Sequence, residues 1–167
     1  FPLAYNLGLN FNRATTTALE NGALSTTLIP YAPQWSGVLT INYNLTKIGV
    51  NIAYTANATG PMELPKVFDL DQNGEQLGAH RPIRSQAFFI QNIQITKKFQ
   101  HNSMEVYGGV QNFLNYRQQE SPLIGYNDPN YQPGFSPYFD TSYAYASLHG
   151  REVFIGLRVD LVNLSKN

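Results

Sequence analysis

The chain has 167 residues with 11 basic and 11 acidic side chains, so its formal net charge is zero and it offers no strongly basic surface for nucleic acid. Charged residues make up 13% of the sequence, against about 25% in a typical soluble domain, while aromatic residues also reach 13%. The absence of cysteine excludes disulfides, thiolate metal sites and a cysteine nucleophile, and no apolar run reaches the roughly 18 residues of a transmembrane helix.

Six stretches of the sequence alternate apolar with small or polar side chains at the two-residue period of a β-strand. The first is clear, because Leu3, Leu7 and Phe11 share one parity and amide or small residues occupy the other. The fourth contains three consecutive apolar residues, 88–90, so the pattern does not decide which face of the sheet they occupy. We predict strands over residues 3–12, 35–46, 48–55, 85–99, 104–111 and 152–161.

The connections between these strands alternate strictly between short and long. Only a couple of residues around Thr46 and Lys47 connect the second strand to the third, and residues 100–102 form another short polar turn. The other connections, residues 13–33, 56–84 and 115–149, are long, polar and rich in Gly and Pro. All long loops are therefore expected at one end of the strands and all short turns at the other.

Long alternating strands with this arrangement of turns are typical of outer-membrane β-barrels. Backbone N–H and C=O groups must all be paired in hydrocarbon, so a membrane sheet has to close on itself. About six strands are too few, since the smallest such barrels have about eight. The sequence therefore predicts part of a larger barrel, with an apolar face on lipid and an amide-rich face inside. A soluble β-sandwich is the alternative, although strands of about 10 residues exceed the usual 5–6.

Three sequence runs in the second half of the chain are recognisable in combination. They are VYGGVQNFLNYRQ at 106–118, PYFDTSY at 137–143 and HGREVFIGLR at 149–158. Together they resemble the C-terminal strands of TonB-dependent outer-membrane receptors, particularly those of Bacteroidota. Leu64-Pro65, His80-Arg81-Pro82 and residues 92–97 are also similar to this group, so the resemblance covers residues 30–160.

This resemblance implies an all-β fold, with about six antiparallel strands forming the C-terminal part of a large transmembrane β-barrel. The family barrel has about 22 strands around a plug domain. We expect residues 1–167 to be such a segment, without the plug domain and the earlier strands.

The implied function is import of a nutrient across the outer membrane of a Gram-negative bacterium, with energy relayed from the inner membrane. Siderophores or other metal chelates, vitamins, glycans and peptides all fit this function. The partners implied are outer-membrane lipid, the rest of the barrel and its plug, TonB through the missing N-terminal part, and a surface lipoprotein.

Two other functions remain open on the sequence. One is a soluble extracellular β-sandwich that binds carbohydrate through tyrosines and Trp35. The other is a structural or secretion-associated barrel component that does not transport. No arrangement of nucleophile, base and orienting acid is visible, so we do not expect an enzyme.

One loop segment has the oxygen spacing that opens a calcium-binding loop. Asp69, Asp71, Asn73 and Glu75 alternate along it, and Gly74 permits a turn, whereas the twelfth position holds His80 instead of Glu. The alternative is an ordinary solvated turn. Apart from this Ca²⁺, no cofactor is expected.

The last long loop is rich in tyrosine, and amphipathic rings beside amides suit ligand recognition. Packing of the loop on itself is the alternative role for most of these rings. Arg117 and Asp140 also fit an ion pair at the loop base. The candidate ligand-binding residues are Tyr116, Arg117, Tyr126, Tyr131, Tyr138, Asp140 and Tyr143.

Two further arginines, Arg151 and Arg158, are expected to face the barrel lumen. Burial there would require a carboxylate partner such as Glu105 or Asp160.

Overall fold

The computed structural model describes residues 2–70, 75–99, 103–120, 122 and 143–160. The strands in these ranges are β1 (Leu3–Phe11), β2 (Thr15–Glu20), β3 (Ala23–Leu28), β4 (Trp35–Leu45), β5 (Val50–Thr59), β6 (Phe68–Leu70), β7 (Gln76–His80), β8 (Phe88–Phe99), β9 (Met104–Gln111) and β10 (Glu152–Val159). A 3-10 turn at Thr46–Ile48 joins β4 to β5. In the same ranges no helix is long and apolar enough to span a membrane.

Six long strands form one antiparallel sheet in the order β1-β4-β5-β8-β9-β10, in which each strand pairs with the next long strand along the chain. The six predicted strands and the all-β fold are confirmed. The third strand was placed too early, because Ile48 belongs to the 3-10 turn and β5 runs from Val50 to Thr59. The fourth starts at Phe88 instead of Ser85, and the predicted end of the sixth, Leu161, lies outside the described residues.

The register brings most apolar side chains of the six strands onto one face, which we call the outer face. One hydrogen-bonded row on this face contains Tyr5, Ile41, Tyr54, Ile93, Val110 and Val153. The face is uncovered: Leu7 is 62% exposed and Ile155 83%. A β-sandwich would bury such side chains against a second sheet, and no second sheet covers this face among the described residues, which disfavours the sandwich alternative.

The opposite, inner face carries amides, hydroxyls and paired charges. Asn51 donates to the Asn44 side chain at 2.6 Å, and Arg158 forms the expected ion pair with Glu105 at 2.9 Å. Arg151 precedes β10, is exposed, and makes no ion pair with the described carboxylates. The prediction of a carboxylate partner is therefore confirmed for Arg158 and not for Arg151.

The sequence left undecided which face of the sheet residues 88–90 occupy, and the pairing of β8 with β5 decides it. Phe88 and Ile90 lie opposite Thr59 and Asn57 on the inner face, whereas Phe89 lies opposite Ala58 on the outer face. Phe88 is accordingly buried and Phe89 is 52% exposed.

A glycine leaves room for a ring on the inner face between β9 and β10. Gly156 lies directly opposite Tyr107, and a Cβ added to Gly156 would collide with the Tyr107 ring. The ring in turn lies beneath the guanidinium of Arg158, with its centroid 5.9 Å from Cζ. Any larger residue at 156 would displace the ring that supports this arginine.

Two of the predicted long loops contain hairpins that the sequence interpretation missed. In β2–β3, Asn21 and Gly22 form the turn with φ of 51° and 81°, as a two-residue type I′ turn requires. In β6–β7, Leu70 pairs with Gln76, and the ladder is irregular between Phe68 and Asp69. Both hairpins lie at the long-loop end of the sheet, whereas the 3-10 turn marks the short-turn end.

An arginine on the outer face should destabilise the protein in a membrane. Ile41→Arg is expected to lower the free energy of unfolding by about 2–4 kcal/mol, the cost of arginine near the bilayer midplane on a barrel surface. Urea unfolding of the full-length protein in liposomes measures this change. Thr40→Arg is the matched control, since the neighbouring residue lies on the inner face. Equal losses in the two variants would contradict the assignment of faces.

Candidate functional site at the base of the long loops

The long loops pack together where they leave the sheet. A small buried cluster, here called the loop-base cluster, contains Met62, Leu64, Val67, Phe88 and Tyr143. These residues come from the β5–β6 connection, from β8 and from the return of the β9–β10 loop. The cluster therefore fixes two loops against the inner face of the sheet.

Tyr116, one of the predicted ligand-binding residues, packs against this cluster. Its ring stacks on Phe88 with centroids 5.2 Å apart and an interplanar angle of 11°. Burial raises the pKa of the Tyr116 hydroxyl above its ordinary value. Stacking on Phe88 of β8 therefore fixes Tyr116, and with it the start of the β9–β10 loop, against the sheet.

Tyr143 lies at the centre of the cluster and is fully buried. Its hydroxyl donates to the Pro82 carbonyl at 2.7 Å, and the Arg81 guanidinium lies over its ring, 5.2 Å from the centroid. Burial, and then the negative charge of Glu120, raise the pKa of Tyr143 to about 12. Tyr143 is thus held as a neutral phenol inside the loop base.

Gln118 ties the outgoing part of the β9–β10 loop to its return. The side-chain Nε2 donates to the carbonyls of Glu120 at 2.6 Å and Tyr143 at 2.9 Å. Its Oε1 accepts from the backbone N–H groups of Tyr145 at 2.9 Å and Ala146 at 3.1 Å. One amide therefore satisfies four backbone groups in the loop base.

Asn112 makes a second connection of this kind directly after β9. It is buried with a φ of 47°, a left-handed conformation that Asn tolerates better than most residues. Its Oδ1 accepts from the Tyr116 N–H at 2.9 Å, while its Nδ2 donates to the Tyr116 carbonyl at 2.7 Å and reaches the carbonyls of His149 and Gly150 at 3.3 Å. Asn112 thereby fixes the turn that begins the loop.

Asn115 and Arg117 complete the loop base near Gly150. Asn115 also has a positive φ, 59°, and its Oδ1 accepts the backbone N–H of Arg151 at 2.9 Å. The Arg117 guanidinium lies so close to Gly150 that a Cβ there would come within 2.7 Å of Nη2. The run from Asn112 to Gln118 therefore acts as a loop clasp, and we use this name for it below.

The predicted ligand-binding residues are thus only partly brought together. Tyr116 and Tyr143 pack in or against the loop-base cluster, and Arg117 is exposed at its edge. The other four candidates, Tyr126, Tyr131, Tyr138 and Asp140, lie outside the described residues. Their contact with a ligand stays a prediction.

The calcium prediction is likewise untested. Asp69 Oδ1 accepts from Arg81 Nη2 at 2.7 Å and Nε at 2.9 Å, and Glu75 is exposed. Asp71 and Asn73 lie outside the described residues. Among the residues that are described, no group of three or more acidic or histidine side chains is arranged to hold a metal ion.

Sequence reasoning did not single out Asn112, Gln118 or Arg81, although these residues organise the site. The first two lie inside the run 106–118 that carried the family resemblance, and this signal could have identified them. Their partners are up to 38 residues away along the chain, so spacing alone did not reveal the contacts.

No protein-family model and no curated protein sequence matches the chain. Two solved structures are similar over 94% of it. One is the ferric-catecholate import receptor Fiu from Escherichia coli K12 in its closed form, with a TM-score of 0.58 and 12% identity. The other is a mutant of the ferric enterobactin receptor PfeA from Pseudomonas aeruginosa in complex with enterobactin, with a TM-score of 0.59 and 14% identity.

The fold is therefore that of part of an outer-membrane receptor barrel. More particularly, the similar proteins are TonB-dependent ferric-siderophore receptors, which confirms the resemblance in the sequence at the level of fold. The chain spans 19% and 20% of the lengths of these two proteins.

Replacing Gln118 should loosen the loop base while leaving the sheet intact. Gln118→Glu keeps the acceptors for Tyr145 and Ala146 but sets a carboxylate oxygen against the carbonyls of Glu120 and Tyr143. Unpaired buried groups cost about 1–3 kcal/mol each. We expect faster protease cleavage within residues 119–145 of the full-length protein, with Gln119→Glu as the exposed neighbouring control. Unchanged cleavage would contradict the role assigned to Gln118.

The loop base should also loosen at high pH. Burial is the main cause that raises the pKa of both Tyr143 and Tyr145 to about 12 from the ordinary value of 10.0. The folded state holds these protons more tightly than the unfolded state, so the stability they contribute is complete below pH 10 and is lost as the pH rises towards 12.

Tyrosinate absorbance during an alkaline titration of the full-length protein measures this effect. Tyr143→Phe should remove part of the late ionisation. A titration curve identical to that of the wild type would refute the assignment.

Proposed function

We propose that this chain is the C-terminal part of the barrel of a TonB-dependent transporter, which imports a nutrient across the outer membrane of a Gram-negative bacterium. One observation carries the proposal: the six-stranded sheet has one broad, mainly apolar face that is exposed and an opposite face rich in polar groups. Such a sheet is stable in a membrane only as part of a closed barrel. Similarity of fold to two import receptors over 94% of the chain supports it.

The cargo belongs to the classes that such receptors import, namely siderophores or other metal chelates, vitamins, glycans and peptides. The two similar structures are a ferric-catecholate import receptor and a ferric enterobactin receptor, which supports a ferric siderophore first. Residues outside this chain would form most of the cargo pocket. Energy would reach the barrel from TonB through that same missing part, with the plug domain and a surface lipoprotein as further partners.

Within this chain, we assign different roles to the predicted ligand-binding residues. Tyr126, Tyr131, Tyr138 and Asp140 would contact cargo from the last long loop, together with the exposed Arg117. Tyr116 and Tyr143 would hold that loop in place, because one is stacked on Phe88 and the other is fully buried. Asp69, Asp71, Asn73 and Glu75 remain a candidate Ca²⁺ site in the β6–β7 hairpin.

Uptake measurements on a strain lacking the full-length protein test this function. Complementation with the wild-type gene should restore uptake of at least one nutrient class, and a protonophore should abolish it. Replacing residues 123–142 by a short Gly-Ser linker should reduce uptake at least tenfold while the barrel still assembles, as heat-modifiable migration in gels reports. Unaltered uptake in the deletion strain for every class would reject a transport role.

The second candidate function is a structural or secretion-associated barrel component. Its uncovered apolar face would be the same. The sequence preceding this chain distinguishes the two functions, since a plug domain there would support transport and its absence would support the alternative.

A further inference from the structure

One charged side chain interrupts the apolar face of the described long strands. Lys97 pairs with Val50 on one side and Val106 on the other, in a row that ends with Leu45 and Leu157. All other described strand residues of this face are uncharged. A lysine that faces lipid costs free energy unless its ammonium group reaches a polar region. The groups around the Lys97 ammonium therefore show how its charge is accommodated.

The ammonium group of Lys97 is directed to the short-turn end of the sheet. Its Nζ donates to the backbone carbonyl of Ile48 in the 3-10 turn and lies 5.3 Å from the centroid of the Phe99 ring. An ammonium group has three N–H donors, and the Ile48 carbonyl takes one of them. Lys97 is therefore held at this rim with donors left for another acceptor.

An open groove of about 790 Å³ lies at the same rim. Ile48 lines this groove and is also the residue whose carbonyl accepts from Lys97. The groove lining is mainly apolar and includes one cation; it consists of Pro2, Tyr43, Asn44, Leu45, Thr46, Lys47 and Ile48. No carboxylate of the described residues lines it, and the ion pairs Arg81–Asp69 and Arg158–Glu105 lie elsewhere. The groove thus combines apolar walls with positive charge.

We propose that this rim binds the phosphate group of an anionic phospholipid, with Lys97 and Lys47 as its cationic contacts and Leu45 and Ile48 beside an acyl chain. The proposal rests on the proposed function, because in such a barrel the outer face meets lipid and the short turns are periplasmic. Charge complementarity and the apolar lining select a lipid as the occupant, because a free phosphate would leave Leu45 and Ile48 uncovered.

Native mass spectrometry of the full-length protein in mixed micelles tests the site with phosphatidylglycerol as the probe. Lys97→Gln should weaken retention of phosphatidylglycerol by about fivefold, the effect of one lysine at an anionic lipid surface. Glutamine removes the positive charge but keeps an N–H donor at this position. Lys98→Gln is the matched control, because this neighbouring lysine lies on the inner face opposite Glu105, and it should retain phosphatidylglycerol like the wild type.

Two further measurements distinguish a phospholipid from free inorganic phosphate as the source of the phosphate group. Phosphatidylcholine should be retained more weakly than phosphatidylglycerol, and millimolar inorganic phosphate should not displace the bound lipid. Equal effects of Lys97→Gln and Lys98→Gln, or displacement by inorganic phosphate, would overturn the proposal. Lipid retention that is insensitive to Lys97 would reject this site alone, whereas a full-length protein that stays soluble without detergent would reject the barrel function itself.

Discussion

Pairing of backbone groups under a strict two-residue alternation is the constraint on which this structure depends. Each strand must satisfy its N–H and C=O groups through its neighbours while it keeps most of its apolar side chains on one side. A slip of one residue in any ladder would move a whole set of side chains to the wrong face. The five ladders of the sheet share one parity, so the row from Tyr5 to Val153 stays apolar throughout.

The same constraint explains how far the fold could be predicted from the sequence. The six long strands were recognised because their alternation extends over 8 to 12 residues. The β2–β3 hairpin was missed because its threonines suit either face, although Asn21-Gly22 is a strong signal for a hairpin turn. The strands β6 and β7, with 3 and 5 residues, are too short to establish a period.

The loop base was less predictable, because composition does not distinguish a ring that recognises a ligand from a ring that packs. Tyr143 is fully buried whereas Tyr116 stacks on Phe88, yet both belong to the same tyrosine-rich loop in the sequence. Gln118 satisfies four backbone groups, two of which lie 27 and 28 residues further along the chain. Only the folded chain brings such partners together. The sequence motif could therefore draw attention to these residues, but it could not predict their hydrogen-bond partners.

The loop clasp has a consequence for how such a surface can vary. Asn112 and Gln118 hold both ends of the β9–β10 loop through backbone groups and the side chains of the clasp itself. Exchange of residues 123–142, which lie between the two held ends, therefore leaves these anchoring contacts unchanged, so sequence variation there is separated from the integrity of the sheet. The same separation makes residues 123–142 a suitable place to insert an epitope or a fluorescent label.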